Sequence, residues 1–453
     1  MVGLTISAAT ENNSGGILTL NGVSIGAEGM PGLTSSDLTL TEQADGSVEI
    51  VPGAEIWPLA IVYLEHGLTI LAREAEGGLA YDYSAAALDV VYDSSYPGVS
   101  FDGSEAPTVT AAGDVKFANL SGTYSDTPGA NRTFGWSLVA DTLAYNTSSD
   151  DPGMEMKTVS TSSTDGIDMS LTFALPSTIA LTAIASPADF TTALNEGLSF
   201  TLATKQGASS GTMKQESAFM PMDLVMNAGG GEGSVVFNKD TFSIKSTAEG
   251  LDISSGPGMM PVPLQVTSGP MQFDLTTPVI ATEAAGDYAI LLKLSDFSLN
   301  EEAWAMFDPN GALPRDAAQI AIDISGKTTM DLGALVAAEE SGVPYTPAPE
   351  SLNITELGVQ VAGAALAATG AFTFDNSMGI PMPLGEANVT VTGANALIDG
   401  LIATGLISED DAMGARMMMG MFMVPGANAD ELTSKIEAKE GMQILVNGQP
   451  LPM

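Results

Sequence analysis

The side chains that most often carry catalysis or bind metals are scarce in this sequence. The chain contains a single histidine, His66, and no cysteine. A serine hydrolase needs a base within reach of its nucleophile, and no Gly-x-Ser-x-Gly turn accompanies His66. Zinc sites take their ligands from cysteine, histidine and carboxylate side chains, so a zinc centre is not expected either. We therefore expect no catalytic residue, no metal site and no cofactor.

Acidic side chains are abundant, and a pair of them could act as the acid and base of a glycosidase. With 55 aspartates and glutamates in the chain, however, some pairs will lie close together by chance. The acidic segments 150–151 and 409–411 do not have the spacing of a calcium-binding loop. The glycine-rich segment 229–233 lacks the Gly-Lys-Ser/Thr ending of a phosphate-binding loop. A hydrolase that uses paired carboxylates is therefore a remote alternative.

A run of methionines near the C-terminus is the cluster with the clearest spacing. Its apolar side chains fall on one face of a predicted helix and are Met413, Met417, Met418, Met421 and Phe422. Methionine is flexible and polarizable, so such a face suits the binding of an apolar ligand or a partner protein. The same spacing is also that of a helix packed on a sheet, which is the favoured interpretation. Capture of a soft metal by thioethers is expected to need cysteine or histidine nearby, and neither is present.

Two helices and a hairpin are predicted to position this methionine face. Apolar residues one turn apart between positions 397 and 402 predict a first helix, which Gly405 ends. Ser408 begins a second helix by capping its free N–H groups. We place the helix pair at residues 395–423. Alternating residues and an Asn-Gly turn predict a closing hairpin at residues 431–451.

Upstream, apolar and polar residues alternate with a period of two, which is typical of half-buried strands. The segments 79–83 and 88–92 each alternate in this way and predict two short strands. Turns rich in glycine separate such segments, and long helices between them are missing. The sequence therefore predicts a mainly β fold, with extended antiparallel meander or sandwich-like sheets and a few short helices. We divide it into an N-terminal β-rich region, 1–185, and a C-terminal one, 186–453.

Charge and hydropathy exclude several classes of partner. The 453 residues carry a net charge of −41, which repels phosphate backbones and makes nucleic-acid binding unexpected. Hydrophobic residues make up 45 % of the chain and charged residues only 15 %, a balance that favours a folded protein over a disordered one. No run of 18 apolar residues occurs, so no transmembrane helix is expected in this chain.

Several short motifs resemble those of one known family. They are Trp304, Asp308-Pro309, Leu313-Pro314-Arg315, the segment 323–326, the segment 393–398, Met413-Gly414-Ala415-Arg416 and Asn447-Gly448. With these motifs the chain resembles the alphaproteobacterial family called domain of unknown function 2125, most clearly from about Leu299 to the end. The helix pair and hairpin are also distantly similar to the envelope family with domain of unknown function 945 and, more remotely, to AsmA-like proteins.

This resemblance implies an exported protein of the periplasm or cell envelope, usually with a leader or an N-terminal anchor. The first residues here show no basic region followed by an apolar one. The family supplies no catalytic residues. We expect a non-enzymatic protein that shelters or binds a lipid, or another apolar ligand, on a β-sheet. The alternative is a structural or protein-interaction module of the periplasm, whose helix pair docks an envelope protein.

Overall fold

The computed structural model confirms a mainly β fold, with 64 % strand, 11 % helix and extended antiparallel sheet. It describes residues 5–26, 33–53, 61–65, 67–98, 107–179, 184, 186–217, 220–256, 258, 262–282, 284–342, 345–441 and 443–451. His66 lies outside the described residues, so its predicted lack of a catalytic role stays a prediction.

The first part of the described chain consists of strands. They are β1 (Thr5–Ser7), β2 (Thr10–Ser14), β3 (Ile17–Gly26), β4 (Leu33–Glu42), β5 (Val48–Pro52), β6 (Ile61–Glu65), β7 (Thr69–Ala75), β8 (Gly78–Pro97), β9 (Thr108–Thr127), β10 (Asn131–Asp151) and β11 (Met156–Pro176).

Short helices enter only after these strands. In order, the elements are α1 (Pro187–Glu196), β12 (Ser199–Gln206), β13 (Ser209–Ser217), β14 (Met222–Ala228), β15 (Gly231–Phe237), β16 (Thr241–Ala248), β17 (Leu251–Ser255), β18 (Leu264–Ser268), β19 (Met271–Pro278), β20 (Gly286–Leu299), α2 (Glu301–Trp304), β21 (Ala318–Thr329), α3 (Leu332–Ser341), β22 (Ala348–Val361), β23 (Ala364–Asp375), β24 (Met382–Thr392), α4 (Ala394–Thr404), α5 (Glu409–Phe422), β25 (Val424–Pro425), β26 (Glu431–Lys439), β27 (Gln443–Val446) and β28 (Gln449–Pro450).

Contacts along the chain divide it into two compact units. Unit 1 consists of Met1–Thr178, Thr201–Gly231 and Ile253–Val262, and unit 2 consists of Ile179–Phe200, Glu232–Asp252 and Pro263–Met453. The boundary that we drew from the sequence, between residues 185 and 186, stays a prediction.

Unit 1 contains strands far longer than the sequence predicted. The strands β8 and β9 have 20 residues each, and β10 and β11 have 21 each. The prediction of two short strands at 79–83 and 88–92 is wrong, because both segments belong to β8. The two segments differ in parity, with apolar residues at odd positions in the first and at even positions in the second. Other long strands contain left-handed residues: Asn119 in β9, which pairs with β8, has φ 50°, and Gly166 in β11 has φ 53°.

The change of parity keeps the apolar side chains of unit 1 on one core. Ala85, Leu88, Leu120 and Ala140 form a buried cluster, against which Tyr83, Val90, Phe117 and Leu138 pack. Tyr83 precedes the change and Val90 follows it, yet both contact the same cluster. A strand that only alternated would place them on opposite faces, because successive side chains point to opposite sides.

Unit 2 is built on a meander of antiparallel strands. The strands pair in the order β16–β19–β20–β21–β22–β23–β24–β26–β27. The helices α4 and α5 form the predicted helix pair and lie in the chain between β24 and β26. Gly405 ends α4 in the left-handed conformation at φ 76°, and Ser408 caps α5, both as predicted.

Candidate functional site

One face of the sheet in unit 2 is lined by apolar side chains on five adjacent strands. Directly paired residues of antiparallel strands project to the same face, so the register identifies its members. One row across the sheet is Ile244, Leu275, Ile290, Ile324 and Ile354. With the next two rows, the set that we call the apolar face is Ile244, Met271, Phe273, Leu275, Ile290, Leu292, Leu294, Ile320, Ile322, Ile324, Ile354, Leu357 and Val359.

The apolar face is not covered by a second layer. Ile290 and Leu292 lie on β20, which has a paired strand on either side, yet their side chains are 38 % and 37 % exposed. Phe273 on the neighbouring β19 is 39 % exposed. None of the thirteen side chains is fully buried. Apolar side chains on an inner strand keep this much exposure only where nothing packs over them, so the face is open to a ligand.

The opposite face of the same strands is polar. Lys293 and Glu356 form an ion pair there at 3.5 Å, and Lys327 and Asp287 form another at 2.7 Å. Exposed pairs of this kind stabilise a fold by less than about 1 kcal/mol each, so their main effect is to keep this face in water. The apolar face has no charged member, and the sheet is therefore strongly amphipathic.

The apolar face is of a size that suits a chain-like ligand. Five strands at normal spacing span about 19 Å, and the five residues from Ile290 to Leu294, which are four steps apart, span about 14 Å along the strand. At one end of the face, the ring of Tyr288 lies against Gly326, where an added Cβ would come within 2.8 Å of the ring. The Tyr288 hydroxyl donates to the carbonyl of Ser351 at 3.1 Å, and burial raises the pKa of Tyr288. This tyrosine is therefore fixed in place beside the face.

The methionine face of α5 is exposed, which corrects the favoured interpretation that it packs on a sheet. Met413, Met417, Met418 and Met421 are 60 %, 64 %, 56 % and 66 % exposed, whereas Phe422 is half-buried. The helix packs through its other side, where Ala412 is fully buried. Periodicity gives the position of an apolar stripe on a helix, but it does not say what covers the stripe.

Several hydrogen bonds hold α5 in place. Arg416 pairs with Asp399 of α4 at 2.6 Å. The carbonyl of Phe422, at the C-terminal end of α5, accepts hydrogen bonds from the Ser434 hydroxyl at 2.7 Å and from the Asn447 amide at 3.0 Å. Helix ends leave such carbonyls without partners inside the helix, so these side chains fix the end of α5 against the closing hairpin.

A buried aspartate organises the segment beneath α4. Asp308 is 0 % exposed, and its carboxylate accepts the N–H groups of Ala312 at 2.8 Å and Leu313 at 3.0 Å. The Arg315 guanidinium lies 3.8 Å from it. The hydrogen bond from Leu313 is the main cause that holds the pKa of Asp308 below its ordinary value, although burial opposes it. Asp308 is therefore a stable anion that shapes this loop.

The same segment packs directly on α4. A Cβ added at Gly400 of α4 would lie 2.6 Å from the side chain of Leu313, and one at Gly363 would lie 3.0 Å from Pro314. Arg315 stacks over the ring of Trp304, 5.6 Å from its centre. Asp308 and Leu313, which belong to the motifs that carried the resemblance, therefore lie in the segment that positions α4. Sequence reasoning picked them out as a motif but gave no sign that Asp308 is buried.

The hydrolase that uses paired carboxylates, the remote alternative, stays a prediction. In this part of the chain, no three side chains of histidine, cysteine, aspartate or glutamate come together as potential metal ligands. A cleft of about 230 Å³ in unit 2 is lined by Asp240, Pro278, Ile280, Thr282, Thr328 and Met330, among others. Asp240 is the sole carboxylate in that lining, whereas glycosidase chemistry requires two.

Over the described ranges, no helix combines the length and hydropathy that a membrane span requires.

The comparisons with known proteins point to one family. No curated protein and no solved structure matches the chain significantly. A family model, described as "Uncharacterized protein conserved in bacteria (DUF2125)", matches residues 143–446. That match covers more than half of the chain and includes the apolar face and the helix pair, so the chain belongs to the DUF2125 family.

Proposed function

We propose that the protein binds a lipid, or another ligand with an alkyl chain, on the apolar face of unit 2. The observation that carries the proposal is the exposure of Ile290 and Leu292, at 38 % and 37 %, on a strand with neighbours on both sides. The largest contiguous apolar patch on a protein surface is often functional, which is why we assign binding to this face. The role is non-enzymatic, because the face offers no group that could donate or accept a proton.

The dimensions and charge of the apolar face favour an acyl chain over a protein. A stable protein interface buries roughly 800 Å² on each partner, whereas a patch of about 19 by 14 Å offers about 270 Å². At about 25 cal/mol per Å² this area contributes roughly 7 kcal/mol before the cost of association. Once those costs are subtracted, the free energy of binding corresponds to a dissociation constant in the micromolar range or weaker, so the ligand binds reversibly.

We also propose that the protein works in the periplasm or at the cell envelope. The proposal rests on the resemblance described above and on the ligand class, since lipids are concentrated at membranes. A chain without cysteine is compatible with an oxidising compartment. The more remote likeness to AsmA-like proteins stays a prediction.

A second candidate is a protein-interaction module, which the exposure of the α5 methionines favours. Met417 and Met421 are 64 % and 66 % exposed, on a helix that several side chains hold rigidly. An adaptable methionine surface of this kind suits a partner protein. Crosslinking of the full chain in a bacterial envelope extract tests it, and a failure of α5 to crosslink any protein argues against it.

The lipid proposal is tested by native mass spectrometry of gently purified protein, followed by lipid extraction. We expect a bound acyl species that is released on denaturation. Titration with a fluorescent fatty acid then gives an affinity for the wild-type chain and for Leu292→Asn, which places an amide on the apolar face. We expect Leu292→Asn to weaken binding by at least about tenfold, because its amide would lose hydration against the ligand.

Leu291→Asn is the matched control, because it makes the same change one residue earlier on the opposite face of β20. We expect it to bind the fluorescent fatty acid as the wild type does. The proposal fails if no lipid is extracted and the wild type does not bind the fatty acid, or if both variants bind it equally well.

A further inference from the structure

The exposed methionines of α5 differ in chemistry from the other exposed apolar surface of unit 2. The apolar face of the sheet is built mainly from isoleucine and leucine, whereas α5 exposes four thioethers and no leucine or isoleucine. Leucine is as good a helix former and equally apolar, so an apolar stripe alone does not require sulfur. What methionine adds is a soft, polarizable donor atom.

Thioethers select soft cations. Sulfur ligands of methionine and cysteine favour Cu(I), whereas carboxylate and carbonyl oxygens favour harder ions. The chain has 24 methionines, no cysteine and one histidine, so nearly all of its soft donor atoms are thioethers. The sequence argued against a metal because no cysteine or histidine accompanies the stripe, but thioethers can bind Cu(I) without them once they are accessible.

The spacing on α5 places three thioethers within about one turn of one another. Met417 and Met421 are four residues apart, and Met418 and Met421 are three apart. Side chains at these separations are neighbours on a helix, with Cβ atoms about 5–6 Å apart. Three rotatable bonds allow each sulfur to move toward a shared ion. Met413 lies one turn before Met417 and can supply a further ligand.

The residues around this trio leave room for an ion. Gly414 and Gly420 lie within one turn of Met417, and a Cβ at either position would meet no atom within 4 Å. Glycine inside an exposed helix is unfavourable by about 1 kcal/mol relative to alanine, so two of them in α5 weaken the helix. At this place they leave open space beside the thioethers.

The charge around α5 favours a cation. Three acidic residues form its first turn, and its single basic residue, Arg416, is paired with Asp399 of α4. The chain as a whole has a net charge of −41, which raises the local concentration of cations.

From these observations we propose that Met417, Met418 and Met421, with Met413 beside them, bind a soft monovalent cation, Cu(I). The site is independent of the lipid-binding face, so either proposal can fail without the other. A docking partner would be held by the apolar character of the stripe, whereas the ion is held by its sulfur atoms. Substitution of methionine by leucine separates these roles, because it removes sulfur and keeps an apolar side chain of similar volume.

The test is an anaerobic titration of the full chain with Cu(I) in competition with a chromophoric Cu(I) chelator. We expect the wild type to withdraw a single equivalent, Ag(I) to displace it and Zn(II) to leave it bound. The variant M417L/M418L/M421L is expected to lose at least about tenfold in affinity. Its circular dichroism and melting temperature, compared with the wild type, show that the fold is retained.

A second triple variant, M220L/M226L/M378L, is the matched control, because it removes three thioethers that are also exposed but belong to separate elements. We expect it to bind Cu(I) as the wild type does, and X-ray absorption of the wild-type complex to show sulfur neighbours. The proposal is overturned if the wild type withdraws no Cu(I) from the chelator, or if the two triple variants bind it equally.

Discussion

The helices α4 and α5 follow one another in the chain but are buried to very different extents. In α4 the buried residues are Ala394, Ile398 and Gly400, whereas in α5 only Ala412 is buried among the described side chains. Both sequences have apolar residues at helical spacing. The difference is that α4 lies directly on the segment around Asp308, and α5 is attached mainly through its ends and through Arg416.

This comparison shows how one apolar helix becomes part of the core while the next presents a surface. Close approach of α4 depends on glycine at its start and within it, since a Cβ at Gly393, just before the helix, would lie 2.4 Å from the carbonyl oxygen of Gly363, and one at Gly400 would lie 2.6 Å from the Leu313 side chain. The glycines of α5 are surrounded by open space instead. The same residue type therefore permits packing in α4 and leaves accessible surface in α5.

The largest effect is expected from Leu313→Ala, which removes the side chain beneath α4. Leu313 is 5 % exposed, and truncation of such a buried leucine lowers the free energy of unfolding by about 2–5 kcal/mol. Urea denaturation measures the change. Leu406→Ala is the control, because Leu406 follows α4 and is 52 % exposed, and we expect it to change stability by less than about 0.5 kcal/mol. Equal losses in the two variants would contradict the proposed difference between these surfaces.

Asp308→Asn is expected to lower the melting temperature at neutral pH by several degrees. Because the pKa of Asp308 is lowered in the folded state, its contribution to stability is present above the ordinary value and is lost as the pH falls through the folded value. The difference in stability between wild type and Asp308→Asn should therefore shrink as the pH drops below 3.8. Asp316→Asn changes the charge of an exposed residue nearby and controls for net charge. A difference that does not change with pH would argue against this role of the carboxylate.

Gly400→Ala tests the close contact between α4 and Leu313. The added methyl would overlap the Leu313 side chain, and overpacking of this kind costs about 1–3 kcal/mol. The better helix propensity of alanine offsets up to about 1 kcal/mol of that loss, so we expect a net decrease of roughly 1 kcal/mol in the free energy of unfolding. Thermal denaturation checks the sign. A stabilised Gly400→Ala would show that α4 is not held against Leu313.

Gly414→Ala and Gly420→Ala make the same change on α5 and are expected to act in the opposite direction. Neither new methyl meets an atom within 4 Å, so helix propensity alone should raise the free energy of unfolding by up to about 1 kcal/mol for each. The gain is the smallest effect in the series and is measured against Gly400→Ala under identical conditions. If either variant were destabilised, α5 would have a packed neighbour on that side.

Much of the fold could be predicted from local patterns. Glycine at 405 and serine at 408 predicted the end of α4 and the start of α5, because both act through backbone groups in their own turn. The apolar alternation predicted the mainly β class. The same reasoning split β8 into two strands, because a local change of parity and a turn both interrupt a period of two.

The candidate site was much less predictable. The methionines of α5 were identified by their spacing, but the sequence did not predict that they are exposed. The residues that form the apolar face of the sheet were not identified as a set. Its members come from five strands between β16 and β22, spread over more than 100 positions, and only the register aligns them. One sign of this face in the sequence is the alternating isoleucine of β21 at 320, 322 and 324. The alternation predicts an apolar side for that strand, but it does not predict which strands lie beside it.

By itself, the sequence determined the fold class, the ends of the C-terminal helices, the acidic character and the supply of soft donor atoms. These properties depend on composition or on neighbours within a few residues. Only the tertiary structure decided which apolar stripes are covered, because burial depends on partners that are distant in the chain. The carboxylate of Asp308 became a buried anchor and the thioethers of Met417 and Met421 remained in solvent for this reason.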